Sequence, residues 1–234
     1  MVLGSSYIRI KMITSVHPLQ ALAVGIALFN LLTFSVAVAP LLPDWLGWVL
    51  AFGLFEAAFV TAALRLMTSK PRAVPKEVES PDEGEERMEL YCELCQMYVH
   101  SGTKHCGKCH CCVDGFDHHC KWLNTCIGGR NYRLFIGLLV ALLLVTVILI
   151  SSEAVVLQQD LELPIFLVIL ADSICNFVIL GMISGLLLFH AYLKVKGIST
   201  YDFVTRRRRH SRVQAEPKAE PKAEPLPQIF TETK

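Results

Sequence analysis

Four apolar blocks dominate the chain, running approximately from Leu19 to Ala39, Trp45 to Leu66, Leu134 to Ser152 and Leu163 to Leu188. A helix needs roughly 20 mostly apolar residues to cross a bilayer, and each block is about that long. With 53% apolar residues and a positive mean hydropathy, the composition argues against a soluble globule. The expected fold class is an all-α integral membrane protein: four transmembrane helices, with a cysteine-rich segment between the second and third.

Basic residues set the expected orientation. Residues 1–18 carry two Lys/Arg, residues 65–133 carry ten and residues 190–234 carry ten, whereas the loops 40–44 and 153–162 carry none. The positive-inside rule then places both termini and the long middle loop in the cytosol. Pro40 to Asp44 is too short for anything but a tight turn, and Trp45 and Trp48 suit an aromatic belt at that exit. The first apolar block is too long for a signal-peptide core and reads as a signal anchor. The start Met-Val-Leu-Gly does not match the myristoylation pattern. Glu56, Asp172 and Asn176 fall inside apolar blocks; intramembrane polar groups face a bundle rather than lipid, either bonding between helices or lining a polar chamber.

The expected organisation is a cytosolic lead (1–18), helices one and two (19–66), a Pro/Glu/Lys-rich flexible linker (67–89) and a cysteine-rich domain (90–133). Helices three and four (134–190) and a cytosolic tail (191–234) follow, the tail disordered after about 213. Arg206 to Arg209 form a basic run just past the last block, suited to anionic lipid or to a solvated face.

Eight of the nine cysteines lie between Cys92 and Cys126. On a reducing, cytosolic side such a cluster points to metal or catalysis rather than disulfides. The donors are Cys92, Cys95, His105, Cys106, Cys109, Cys112, His119 and Cys126, with His110 and Cys111 as spare candidates. Eight ligands fill two tetrahedral zinc sites with no open position, the structural type. So little aliphatic content leaves the metal to supply the folding energy.

Asp117, His118 and Cys120 remain once those donors are assigned. A zinc finger whose last ligands happen to be His and Cys is the plainer reading of the tetrad Asp117 to Cys120. The alternative makes His118 a base, Asp117 its orienting partner and Cys120 a nucleophile whose thiolate the neighbouring imidazole favours. Zinc ligation of His119 would fix the backbone between base and nucleophile. Leu134 lies only eight positions past Cys126, so Cys120 is expected at the membrane face, where acyl transfer from a lipid-like thioester is the natural chemistry.

This pattern resembles the DHHC family of protein S-acyltransferases (palmitoyltransferases). The likeness covers the cysteine spacing, the tetrad, Asn131-Tyr132 and Phe135, and the placement of four spans. Phe116 to Asn124 is most similar to the branch containing DHHC-domain proteins 1 and 11. The resemblance implies two interleaved zinc sites, one of Cys92, Cys95, His105 and Cys112, the other of Cys106, Cys109, His119 and Cys126. It implies that Cys120 takes an acyl group, usually palmitoyl, from acyl-CoA and passes it to client proteins with membrane-proximal cysteines. Trp122 matches a family tryptophan beside the thioester, and Ser199 to Asp202 resembles the Thr-Thr-x-Glu motif.

Departures from the family pattern include Lys121 for the usual proline and Val99 to Gly102 for a common basic stretch. Lys104, Lys121, Arg130 and Arg133, with Lys108, would then face the CoA phosphates. Val145 stands where some members carry a bulky aromatic, implying tolerance of long acyl chains. The short tail and these departures keep a second reading open, a membrane adaptor of the same family with weak or no catalysis. Nucleic acid is a poor partner, since the basic residues of the block are scattered. Endoplasmic reticulum, Golgi or endosomal membranes are the expected location, and a homo-oligomer is compatible with the reading.

Overall fold

The computed structural model describes residues 17–68 and 90–215. The expectations for the lead before His17, the 69–89 linker and the tail beyond Ala215 lie outside the described residues. Helix α1 (Pro18–Thr33) starts behind His17, whose Nδ1 accepts from the Leu19 amide at 3.2 Å, with Pro18 at its first position. It continues through a π-helical turn (Phe34–Val38) and a short 3-10 turn (Ala39–Leu41). α2 (Trp45–Thr68) follows, then α3 (Tyr132–Val156) and α4 (Leu163–Lys196). These four segments are long and apolar enough to cross a membrane. α2 packs along α3 and α3 along α4, while α1 touches α4 more lightly.

Several boundaries differ from the sequence expectation: α2 runs on to Thr68 and α3 to Val156, taking in residues expected in the following linker and loop. α3 begins at Tyr132 because Asn131 clasps the chain ahead of it: its Oδ1 accepts from the Gly128 amide at 2.9 Å and its Nδ2 donates to the Cys126 carbonyl at 2.9 Å. α4 runs on to Lys196, where Lys194 and Lys196 oppose the negative helix end and Gly197 closes it in the left-handed region at φ 64°. A further helix, α5 (Thr200–Ala215), carries the basic run.

The cysteine-rich domain is not helical, which qualifies the all-α expectation. It is built from three antiparallel hairpins: β1 (Leu90–Cys92) with β2 (Met97–Val99), β3 (Lys104–Cys106) with β4 (Cys111–Val113), and β5 (His118–Cys120) with β6 (Thr125–Ile127). Each hairpin begins 14 residues after the one before. The turns repeat too: Gln96, His110 and Asn124 hold φ of 52°, 49° and 50°. The third turn keeps this backbone without a metal ligand in it, while three-residue strands bury too little to stand without metal.

Two cores frame the molecule. One gathers Phe34, Val38, Phe52, Val145, Leu149 and Ile169, with the Phe34 and Phe52 rings stacked 4.2 Å apart. Val145 thus packs in the same core as Phe34 and Phe52. The other joins Cys120, Leu123 and Ile127 of the third hairpin to Leu66, Phe135, Leu138 and Leu139. The third hairpin is therefore seated on the ends of α2 and α3.

Candidate active site

The hairpin repeat explains how donors are shared. Cys92, Cys95, His105 and Cys112 offer ligand atoms within 4.8 Å of one another, as do Cys106, Cys109, His119 and Cys126. Each set takes two cysteines from one hairpin and a His and Cys from the next. Within the first set His105 Nδ1 lies 3.8 Å from Cys92 Sγ, 3.3 Å from Cys95 Sγ and 4.0 Å from Cys112 Sγ. Within the second, His119 Nδ1 lies 3.8, 3.4 and 3.7 Å from Cys106, Cys109 and Cys126. Ligands about 2.0–2.3 Å from a tetrahedral zinc stand ~3.6 Å apart. The Cys₃His donor sets therefore fit zinc. His110 and Cys111, the spare candidates, belong to neither set.

Cys120 holds in the third hairpin the place that Cys92 and Cys106 hold in the first two. The second cysteine of each earlier turn, Cys95 or Cys109, is replaced by Leu123, which is buried. No further hairpin follows to complete a third metal site, since the chain enters α3. Cys120 is thereby left outside both metal sets, nearly buried against the helix ends.

Its neighbour His118 is held from several sides. His118 Nδ1 is 2.7 Å from Asp117 Oδ2, and Cys120 follows two residues on along β5, on the same side of the strand. The other Asp117 oxygen, Oδ1, accepts from the Thr200 amide at 2.9 Å. That amide opens α5, where the Ser199 hydroxyl donates to Asp202 Oδ2 at 2.8 Å and accepts from the Asp202 amide at 3.1 Å, capping the helix. The positive end of α5 thus faces the carboxylate. The segment Ser199 to Asp202 acts here through backbone and cap.

Electrostatics follow from this arrangement. Burial opposes ionisation of Asp117, but the His118 bond and the Thr200 amide overcome it and hold the carboxyl below its ordinary range. Burial likewise works against the His118 cation, yet the bond to Asp117 and the contact with Cys120 raise it to about 9.

Two residues that sequence reasoning did not assign to the site complete it. His190 of α4 is buried, its ring centroid 5.9 Å from that of His118 and 5.2 Å from that of Phe135. The Tyr132 hydroxyl lies 3.1 Å from His190 Nδ1. A lone His at the end of an apolar block was the only sign of the first. Asp117, His118 and His190 also bring ligand atoms within 4.8 Å of one another. The expected acyl-CoA contacts are less gathered: Trp122, Lys121, Arg130 and Arg133 are exposed, Lys104 is half-buried on β3, and Arg130 faces Asp114 at 3.9 Å.

A family profile described as DHHC palmitoyltransferase matches residues 85–207, more than half of the chain. The chain belongs to the DHHC palmitoyltransferase family. Among curated DHHC relatives, the chain is 35% identical over 153 residues to Probable protein S-acyltransferase 20 of Arabidopsis thaliana, covering 57% of this chain and 22% of that one. It is 33% identical over 120 residues to Palmitoyltransferase ZDHHC18 of Homo sapiens, covering 48% and 31%. It is 26% identical over 227 residues to Palmitoyltransferase ERF2 of Kluyveromyces lactis, covering 84% and 62%. The chain thus spans under two thirds of the length of these relatives.

Proposed function

We propose that the protein is a multi-pass membrane S-acyltransferase that carries a fatty acyl group, palmitoyl by preference, from acyl-CoA to client cysteines through Cys120. The observation that carries this reading is Cys120, which stands at the ligand position of the hairpin repeat yet outside both metal sets, beside a His118 braced by Asp117 and seated on the helix ends. With the zinc-binding domain and both termini on the cytosolic side, Cys120 meets a thioester whose tail enters the bilayer while its CoA head stays in water.

In the first half-reaction the Cys120 thiolate attacks the thioester carbonyl carbon. The bond from that carbon to the CoA sulfur breaks, and the departing thiolate takes the proton held by His118. In the second, His118 accepts the proton of a client thiol, whose sulfur attacks the Cys120 thioester. Acyl transfer restores the Cys120 thiolate and the His118 imidazolium. Two zinc ions supply only rigidity, because each set already offers four protein ligands. Trp122 borders the thioester, and Lys104, Lys121, Arg130 and Arg133 offer charge to the CoA phosphates. A second lipid chain turns transient membrane contact of a client into stable attachment.

Purified full chain in nanodiscs incubated with labelled palmitoyl-CoA tests this reading. The expected result is a burst of free CoA, about one per chain, before any client is added, with hydroxylamine-labile label on the protein. No burst and no label would favour the adaptor reading.

A further inference from the structure

Glu153 and Asp172 form a second cluster of titratable side chains, far from Cys120. Glu153 lies ~30 Å along α3 from Tyr132, at 1.5 Å per residue, and one turn before Val156 ends that helix. Both acids are fully buried. Glu153 Oε2 accepts from the Ser173 hydroxyl at 2.6 Å and Oε1 from Asn176 Nδ2 at 3.1 Å, while Asn30 Nδ2 donates to Asn176 Oδ1 at 3.0 Å. The Asp172 carboxyl lies beside the Glu153 carboxyl and the Thr33 hydroxyl, yet neither of its oxygens meets hydrogen-bond geometry. Asn30 Oδ1 is also buried without a partner. Among the described residues, neither acid takes part in an ion pair with a basic side chain.

Either protonation state of Asp172 leaves a demand unmet. Ionised, it carries charge and two bare acceptors beside a second carboxyl; protonated, its hydroxyl can turn to Glu153, but its other oxygen stays buried and bare. Buried polar groups are normally satisfied, and an exception calls for an ion, a water or a strained role. A cation would meet the demand of both carboxyls at once. The surrounding donors are all oxygens: two carboxylates, the hydroxyls of Thr33 and Ser173, and the amide carbonyls of Asn30 and Asn176. Oxygen-only sets select hard cations rather than zinc, which favours sulfur and nitrogen. Ser173 can rotate its hydroxyl, and either amide can turn its oxygen inward.

The nearby loops supply an approach. Asp44, Asp160 and Glu162 are exposed there, and residues 40–44 and 157–162 contain no Lys or Arg. Such a face draws cations toward it.

We propose that Glu153, Asp172, Ser173 and Asn176, with Thr33 and Asn30, form a site for a hard cation, Ca²⁺ or Na⁺, that ties α1 to the α3–α4 pair. The site draws on α1, which otherwise touches α4 lightly, and it owes nothing to acyl transfer.

The test is thermal melting of the purified, zinc-loaded full chain in phosphatidylcholine nanodiscs, in CaCl₂, NaCl or choline chloride at matched ionic strength. The expected result is a Tm higher by about 2–4 °C in CaCl₂ or NaCl than in choline chloride, the responding arm naming the cation. Asp172→Asn is expected to lose that difference and Ser173→Ala, which keeps both carboxylates, to shrink it. Equal Tm in the three salts would overturn the proposal, as would a salt response unchanged in Asp172→Asn. Should Asp172→Asn not fold, an unchanged response in Ser173→Ala overturns it equally. Cys120 labelling, read on the same samples, separates loss of this site from loss of acyl transfer.

Discussion

Asp117 grips His118 through a 2.7 Å contact between Oδ2 and Nδ1, and its second oxygen is spent on the Thr200 amide. The carboxylate therefore has one free role, orienting and charging the imidazole beside Cys120. It also joins the zinc domain to α5, so the two halves of the site are positioned by one side chain.

A pH dependence follows. Asp117 has its pKa held below the ordinary carboxylate range, so its contribution is present above that range and lost as pH falls through the depressed value. His118 is raised to about 9, so its contribution is full below its ordinary 6.5 and lost as pH rises through about 9. Auto-acylation is expected to fall above about pH 9, where His118 has no proton for the leaving CoA. Asp117→Asn should move that limb to lower pH, read from initial labelling rates across a pH series. An unmoved limb would show that Asp117 does not charge His118.

Tyr132→Phe removes only the hydroxyl that meets His190. A lost hydrogen bond of about 1 kcal/mol corresponds to a ~5-fold drop in labelling rate. If His190 positions His118, the drop falls on kcat with KM for palmitoyl-CoA unchanged and zinc content intact. Equal effects on melting temperature and KM would reduce Tyr132 and His190 to packing.

His119→Ala is expected to lower zinc from two to one per chain, measured by elemental analysis, and to abolish labelling. His119 stands between His118 and Cys120 on β5, so its ligation holds base and nucleophile in register. Cys120→Ser should leave both zincs bound. Two zincs in His119→Ala would contradict the donor assignment.

Gly128→Ala tests the join between hairpin and α3. A Cβ there would meet Val113 Cγ1 at 2.7 Å and the Asp114 carbonyl at 2.8 Å, both under the closest approach that real side chains make. Overpacking of this kind costs about 1–3 kcal/mol, expected as a lowered melting temperature with reduced labelling. An unchanged melting curve would mean the join relaxes freely.

Much of this was legible in the sequence because its signals were local. Apolar length marks the four helices, and cysteine spacing marks the eight donors. The hairpin architecture was missed by the all-α expectation, although the structure shows that a 14-residue recurrence sets Cys120 in register with Cys92 and Cys106 and puts Leu123 where a ligand would stand. What the sequence hides is long-range: His190 meets Tyr132 across 58 positions and Asn30 meets Asn176 across 146. Glu153 showed no pattern beside its apolar neighbours, although it faces Asp172 in the folded chain. Glu56, by contrast, lines a groove between α1 and α2 with Phe52 and Val60 rather than joining that network.

The most direct measurement is intact and peptide mass analysis of the purified chain after exposure to palmitoyl-CoA, with Cys120→Ser alongside. The expected result is one palmitoyl group on the peptide carrying Cys120, removed by hydroxylamine, and none on the variant at unchanged zinc content. Acylation of Cys120→Ser to the same extent, or wild-type label confined to another cysteine, would contradict the assignment of Cys120 as the acyl carrier.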